Sequence, residues 1–132
     1  MQNADAIQKK VVFVPARDLC ERTFAFSVQV VKLCRHLELR NGVCRVLSRQ
    51  LLRAGTSIGA NVEEAQAAQS RPDFINKNGI ALKEARETHC WLRLLIASGE
   101  VQEQPIAPFR QEAGELMRIL GAIVVSSRRN SR

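Results

Sequence analysis

Arg45, Arg49 and Arg53 recur at i, i+4 and i+8, and Arg86 and Arg93 stand one heptad apart. On a helix each set makes a basic stripe along one face. Like charges at that spacing repel by about a few tenths of a kcal/mol per pair. Such a stripe therefore calls for carboxylates from another helix or subunit, or for a polyanion such as RNA. Without either it is a solvated face. Aromatics make up 5% of the chain and Tyr is absent, so the arginines have no interleaved stacking platform. Nucleic acid, if bound, is expected to be held by its backbone with little reading of sequence.

Acid–base and metal chemistry are poorly supplied. Glu63, Glu64, Glu84 and Glu87 are candidates for a carboxylate cluster, and His36 and His89 are the only histidines. A di-metal helical bundle uses Glu-x-x-His; here Glu84 is followed by Glu87, and His89 falls at the wrong spacing. His89 lies on an apolar stripe and reads as a hydrogen-bonded core histidine. Asn61, Glu64 and Glu87 read as structural polar groups, with Glu64 and Glu87 placed to meet Arg86 or another arginine. Phosphate loops, nucleophile elbows and zinc-ligand spacings are missing. The expectation is a protein without catalytic residues, metal or cofactor.

The chain has 132 residues, enough for one modest core. Twenty Lys and Arg against 13 Asp and Glu give a net charge of +7 and a pI near 9.9. That excess favours anionic partners through steering and counterion release, although a small domain can carry it for solubility alone. Cys20, Cys34, Cys44 and Cys90 are widely separated, and the opening MQNADAIQKK lacks an apolar leader core. Reduced thiols in a cytoplasmic protein are expected, as is the absence of a membrane span.

These residues are positioned by four amphipathic segments. Asp18 and Glu21 have the spacing of a capping box, and Leu19, Phe26, Val30, Leu33 and Leu37 form a stripe with Cys20, Phe24, Ser27, Val31 and Cys34 alongside. The breadth predicts a first helix buried on two sides, ended by Asn41-Gly42. A second helix is predicted from near Val43 to about Ala68 and a third from Pro72 to Ser98, closed by Gly99. The link GEVQEQPIAP then precedes a fourth helix with Phe109, Ala113, Leu116, Leu120 and Ile123 on its stripe. The predicted architecture is an all-α, antiparallel up-down four-helix bundle over residues 18–126. A polar N-terminal extension, residues 1–17, carries the β-prone run VVFVP, which packs along the bundle or against a neighbouring subunit. Residues 127–132 read as a basic, disordered tail.

The second helix contains an anomaly. RAGTSIGANVEEAQAAQSR, Arg53 to Arg71, keeps helical apolar spacing yet includes Gly55, Thr56, Ser57, Gly59 and Asn61. Each Gly costs about 1 kcal/mol relative to Ala in a helix. Small residues there predict close approach of another helix, or a bend near Ile58, with packing overriding propensity.

SRQLLRAGTSIGANVEEAQAAQSR followed by FINKNGIALKEARETHCWLRLL resembles the four-helix-bundle proteins encoded in bacterial 23S rRNA intervening sequences. The resemblance extends from about Asp18 to Ser126. It is carried by Ser57-Ile58, Asn61, Glu64, the run Glu84-Ala85-Arg86-Glu87-Thr88 and Trp91-Leu92; the relatives often have Pro at the position of Gly59 and Gly at that of Ala65. It implies a left-handed bundle assembling as a homopentamer. It also implies kinship with the accessory protein of diversity-generating retroelements, a basic ring that associates with nucleic acid and a reverse transcriptase. No catalytic residue comes with it. The function expected from residues and resemblance together is nonspecific binding of RNA or DNA by a homo-oligomer, through Arg45, Arg49, Arg53, Arg86 and Arg93. A protein-interaction scaffold is the alternative.

Overall fold

A computed structural model describes residues 18–130, so the VVFVP run and the last two residues lie outside the described part. Four helices follow one another: α1 (Leu19–Leu37), α2 (Gly42–Gln66), α3 (Arg71–Ala97) and α4 (Glu103–Asn130). α1 packs on α2, α2 on α3 and α3 on α4, and a thinner seam between α1 and α4 closes the antiparallel bundle. The fold is the one predicted.

Short polar side chains start each of the first three helices. The Asp18 carboxylate accepts from the Cys20 N–H at 2.7 Å, satisfying one of the donors a helix start leaves open. Asn41 accepts from the Cys44 N–H at 2.9 Å, so Asn-Gly begins α2 rather than merely ending α1. Ser70 accepts from the Asp73 N–H, with Pro72 in the first turn, where a missing N–H is harmless. Gly99 follows α3 with φ of +82°, a conformation glycine adopts without strain.

The fourth helix departs from expectation at both ends. It starts at Glu103 instead of after the proline-containing link. Pro105 sits in the first turn, where no intrahelical N–H is needed; only Pro108 removes an interior hydrogen bond. Burial of Pro105, Ile106 and Phe109 offsets that loss. At the other end the helix continues through Asn130, where a disordered tail was expected. Val124 and Ser127 prolong the buried stripe, and Arg128 and Arg129 in the last turn complement the helix dipole.

The core is aliphatic, built on Val30, Leu33, Leu37, Leu51, Ile58, Leu92, Leu95, Leu116 and Leu120. Phe26 and Phe109 meet edge to face at 6.4 Å across the α1–α4 seam, and their bulk suits the wider spacing there. Beside them the Arg22 guanidinium donates through Nε and Nη2 to both oxygens of the nearly buried Glu112, each at 2.7 Å, and Nη2 also reaches Glu115 at 3.0 Å. This forked ion pair holds two chain-distant helices in register.

α2 approaches α1 most closely at its glycines. A Cβ on Gly55 would stand 2.9 Å from Val30 Cγ1, and one on Gly59 would stand 3.2 Å from the Thr23 backbone carbonyl oxygen. The other weak helix formers satisfy themselves: Ser57 donates to the Arg53 carbonyl at 2.7 Å, Thr56 to that of Leu52 at 2.7 Å and Asn61 to that of Ser57 at 2.9 Å. Close packing of α1 on α2 therefore accounts for the glycines. Asn61 is half-buried rather than fully buried, and its amide finds a backbone partner within its own helix.

α1 packs on both α2 and α4, but its buried stripe is narrower than expected. Phe24 is 61% exposed and Val31 39%. Along the α1–α2 seam Gly55 lies beside Val30 and Ser48 beside Cys34, which puts the partly exposed Leu52 level with Val31. An apolar outer face results.

Candidate nucleic-acid interface

The three arginines of α2 do not form a free stripe. Arg53 bonds Glu84 through Nη1 at 3.1 Å and Glu87 through Nη2, both on α3. Trp91, one turn on, donates its indole N–H to the same Glu87 at 3.1 Å. The bond from Arg53 holds the Glu87 carboxyl below the usual range. Arg49 pairs with Glu38, the C-cap residue of α1, at 2.8 Å. Arg45 alone of the three makes no ion pair among the described residues and is exposed. The repulsion inherent in the spacing is thus met largely by carboxylates of neighbouring helices within the chain.

Glu64 and Glu87 find different partners from one another. Glu64 pairs with Lys77 at 3.0 Å, not with an arginine. Glu87 faces α2, whereas Arg86, a residue earlier, is turned toward α4; the 100° step between them separates the two flanks of α3. Arg86 and Glu87 consequently do not meet.

The second basic stripe has a different environment. Arg86 and Arg93 are exposed and make no ion pair among the described residues. Arg86 joins His89, Gly114, Met117 and Arg118 in lining an open cleft of about 350 Å³ between α3 and α4. Arg118 is likewise exposed and without an ion pair. Burial lowers the pKa of His89, and Arg93 and Arg110 lower it further. His89 is half-buried in this cleft wall and makes no side-chain hydrogen bond among the described residues; it is not the bonded core histidine anticipated from its stripe. A Cβ on Gly114 would lie 3.9 Å from the His89 Nε2, so the glycine keeps the cleft floor low opposite the imidazole.

Periodicity missed Arg118, Met117, Gly114 and Arg110, because their value depends on how α4 is rotated against α3. The Arg22–Glu112 fork was missed for the same reason. A buried glutamate on the apolar stripe of α4, one residue before Ala113, was the available signal. What the cleft offers is fixed positive charge beside an unpartnered imidazole, suited to holding an anion.

Fold and surface together define a helical bundle with a basic cleft and with no group of three metal-ligating side chains among the described residues. Residues 17–122 match the family model described as 23S rRNA-intervening sequence protein, and the chain belongs to that family. It is similar to a protein of unknown function from the S23 ribosomal protein family of Bacteroides thetaiotaomicron, known from a crystal structure. The two are 42% identical with a TM-score of 0.74, over 81% of this chain and 98% of the other. No curated protein matches. Among the described residues no helix is long and apolar enough to cross a membrane.

Proposed function

We propose that the protein is a non-enzymatic homo-oligomeric bundle, a pentamer, that binds RNA or DNA nonspecifically through its basic surfaces. One observation carries this reading: Arg86 and Arg118 line one cleft and Arg93 lies close to its histidine, all without ion-pair partners among the described residues, while Arg49 and Arg53 are matched by carboxylates. Unpaired guanidinium groups release counterions and accept phosphate at no cost in broken internal bonds. Arg45 adds a further cation on α2, exposed and without an ion pair among the described residues. In a ring, a charge of +7 per chain would be concentrated into one continuous field.

Titration with mixed-sequence RNA and with duplex DNA at several salt concentrations tests the proposal. Affinity should fall steeply with salt, each phosphate contact adding about 0.7 to 0.9 to the logarithmic slope. Lack of binding at low salt would end it. Oligomeric mass from light scattering tests the pentamer.

The second reading, a scaffold that binds only protein, is favoured by the apolar face bearing Phe24, Val31 and Leu52. In that case Phe24→Ser with Val31→Ser removes partner or subunit association, and no polyanion binds at any salt concentration.

A further inference from the structure

We propose that the α3–α4 cleft is a phosphate site in which His89 acts as a proton-dependent ligand, so that the hold on a nucleic-acid backbone tightens as the pH falls. The inference rests on the nucleic-acid reading for its ligand, and on the geometry of the cleft for everything else.

Among the described residues four charged groups surround the imidazole, and all are cations. Arg86 on α3 and Arg118 on α4 line the cleft with it, and Arg93 on α3 and Arg110 on α4 lie close enough to disfavour its protonation. Arg110 is drawn toward Glu103 at 3.2 Å, and no carboxylate among the described residues lines the cleft itself. An acidic neighbour, the usual means of stabilising an imidazolium, is therefore missing. A phosphate seated between Arg86 and Arg118 would supply the negative charge that no lining side chain provides.

The linkage has a definite sign. In the free protein partial burial and the arginines favour neutral His89. A bound phosphate reverses the local field and favours the imidazolium, which then donates an N–H to a phosphate oxygen. Binding takes up a proton, so lower pH strengthens it. One coupled proton changes affinity by at most about tenfold per pH unit. Between about pH 7.5 and about pH 5.5, where histidine titrates, a gain of about fivefold to tenfold is expected.

Gly114 and Met117 complete the design. Glycine leaves the floor open to a tetrahedral group, and the Met117 thioether offers no competing donor or charge.

The test uses the full chain. Affinity for a short mixed-sequence RNA is measured at both pH values and constant salt for the native protein, His89→Gln and Arg118→Gln. The expected result is acid tightening in the native protein, its loss in His89→Gln, and weaker binding at both pH values in Arg118→Gln. NMR titration of the His89 ring, distinguished from His36 by a His36→Gln variant, should show its pKa rising when RNA is added. Inorganic pyrophosphate serves as the second probe and should raise it too.

RNA binding whose pH dependence survives His89→Gln, or RNA binding that leaves the His89 titration unmoved, overturns the inference and leaves general nucleic-acid binding intact. A pyrophosphate-induced rise without RNA binding at either pH overturns the nucleic-acid reading and keeps the phosphate site. Absence of RNA binding at either pH, together with a His89 titration that pyrophosphate does not move, overturns both.

Discussion

The α1–α2 and α3–α4 seams use glycine to opposite ends. Gly55 and Gly59 let α2 settle against α1 until a single added methyl would crowd Val30 or the Thr23 carbonyl. Gly114 stands where a methyl would fit at ordinary contact distance, and space remains above it. The first seam is closed and its outer surface apolar; the second is open and basic. The same absence of a side chain thus produces adhesion in one place and a cleft in the other. Which outcome follows depends on whether the facing residues are small and self-bonded, like Thr23 and Ser27, or an imidazole flanked by cations, like His89 between Arg86 and Arg118.

The largest expected effect lies at the open seam. Arg86→Glu with Arg118→Glu should lower affinity for RNA by about a hundredfold or more at low salt and reduce the salt slope by about two contacts. Circular dichroism should be unchanged, since neither residue is buried or ion-paired among the described residues. If the same loss came from Arg49→Glu with Arg53→Glu while the cleft variant bound normally, the contrast between paired and unpaired arginines would fail.

At the closed seam, Gly59→Leu should destabilise by about 2–3 kcal/mol in denaturant melts, from overpacking against the α1 backbone. Gly114→Leu should cost less than about 1 kcal/mol, yet block the cleft and weaken phosphate binding. Equal stability losses at the two positions would erase the distinction between seams.

Glu112→Gln should cost about 1–2 kcal/mol, because Arg22 loses its charged partner in a poorly hydrated setting but keeps some access to water. The smallest effect belongs to Glu87. Arg53 lowers its pKa, so its contribution is complete above the usual carboxylate range and disappears as pH falls through the lowered value. Glu87→Gln should remove about a few tenths of a kcal/mol at neutral pH and flatten the acid limb of the stability profile.

Much of the fold could be read from local pattern. Leu51, Ala54, Ile58 and Ala65 announce the buried stripe of α2, and Asp18 and the run from Ser70 to Asp73 mark starts that the structure retains. The start of α4 was hidden because Pro105 and Pro108 weigh against helix locally, while burial around Ile106 and Phe109 weighs for it. Its end was hidden because Arg128 and Arg129 look like tail residues until Ser127 is found buried. The basic cleft was half visible. Arg86 and Arg93 could be singled out by spacing, but Arg118 acquires meaning only from the rotation of α4 against α3. Arg53 taught the converse: its spacing marked a stripe, and two glutamates thirty-odd residues away claimed it.

The cysteines carry a practical consequence. Burial pushes Cys34 up to about 11 and raises Cys44 as well, and burial with the nearby Asp18 carboxylate raises Cys20. Cys90 is the exposed thiol, adjacent in the chain to the cleft histidine. Since thiolate fraction and access set reactivity, a maleimide dye should attach to Cys90 first. The native chain would then carry a fluorophore beside His89 without a single engineered residue, able to report anion arrival by a change in emission.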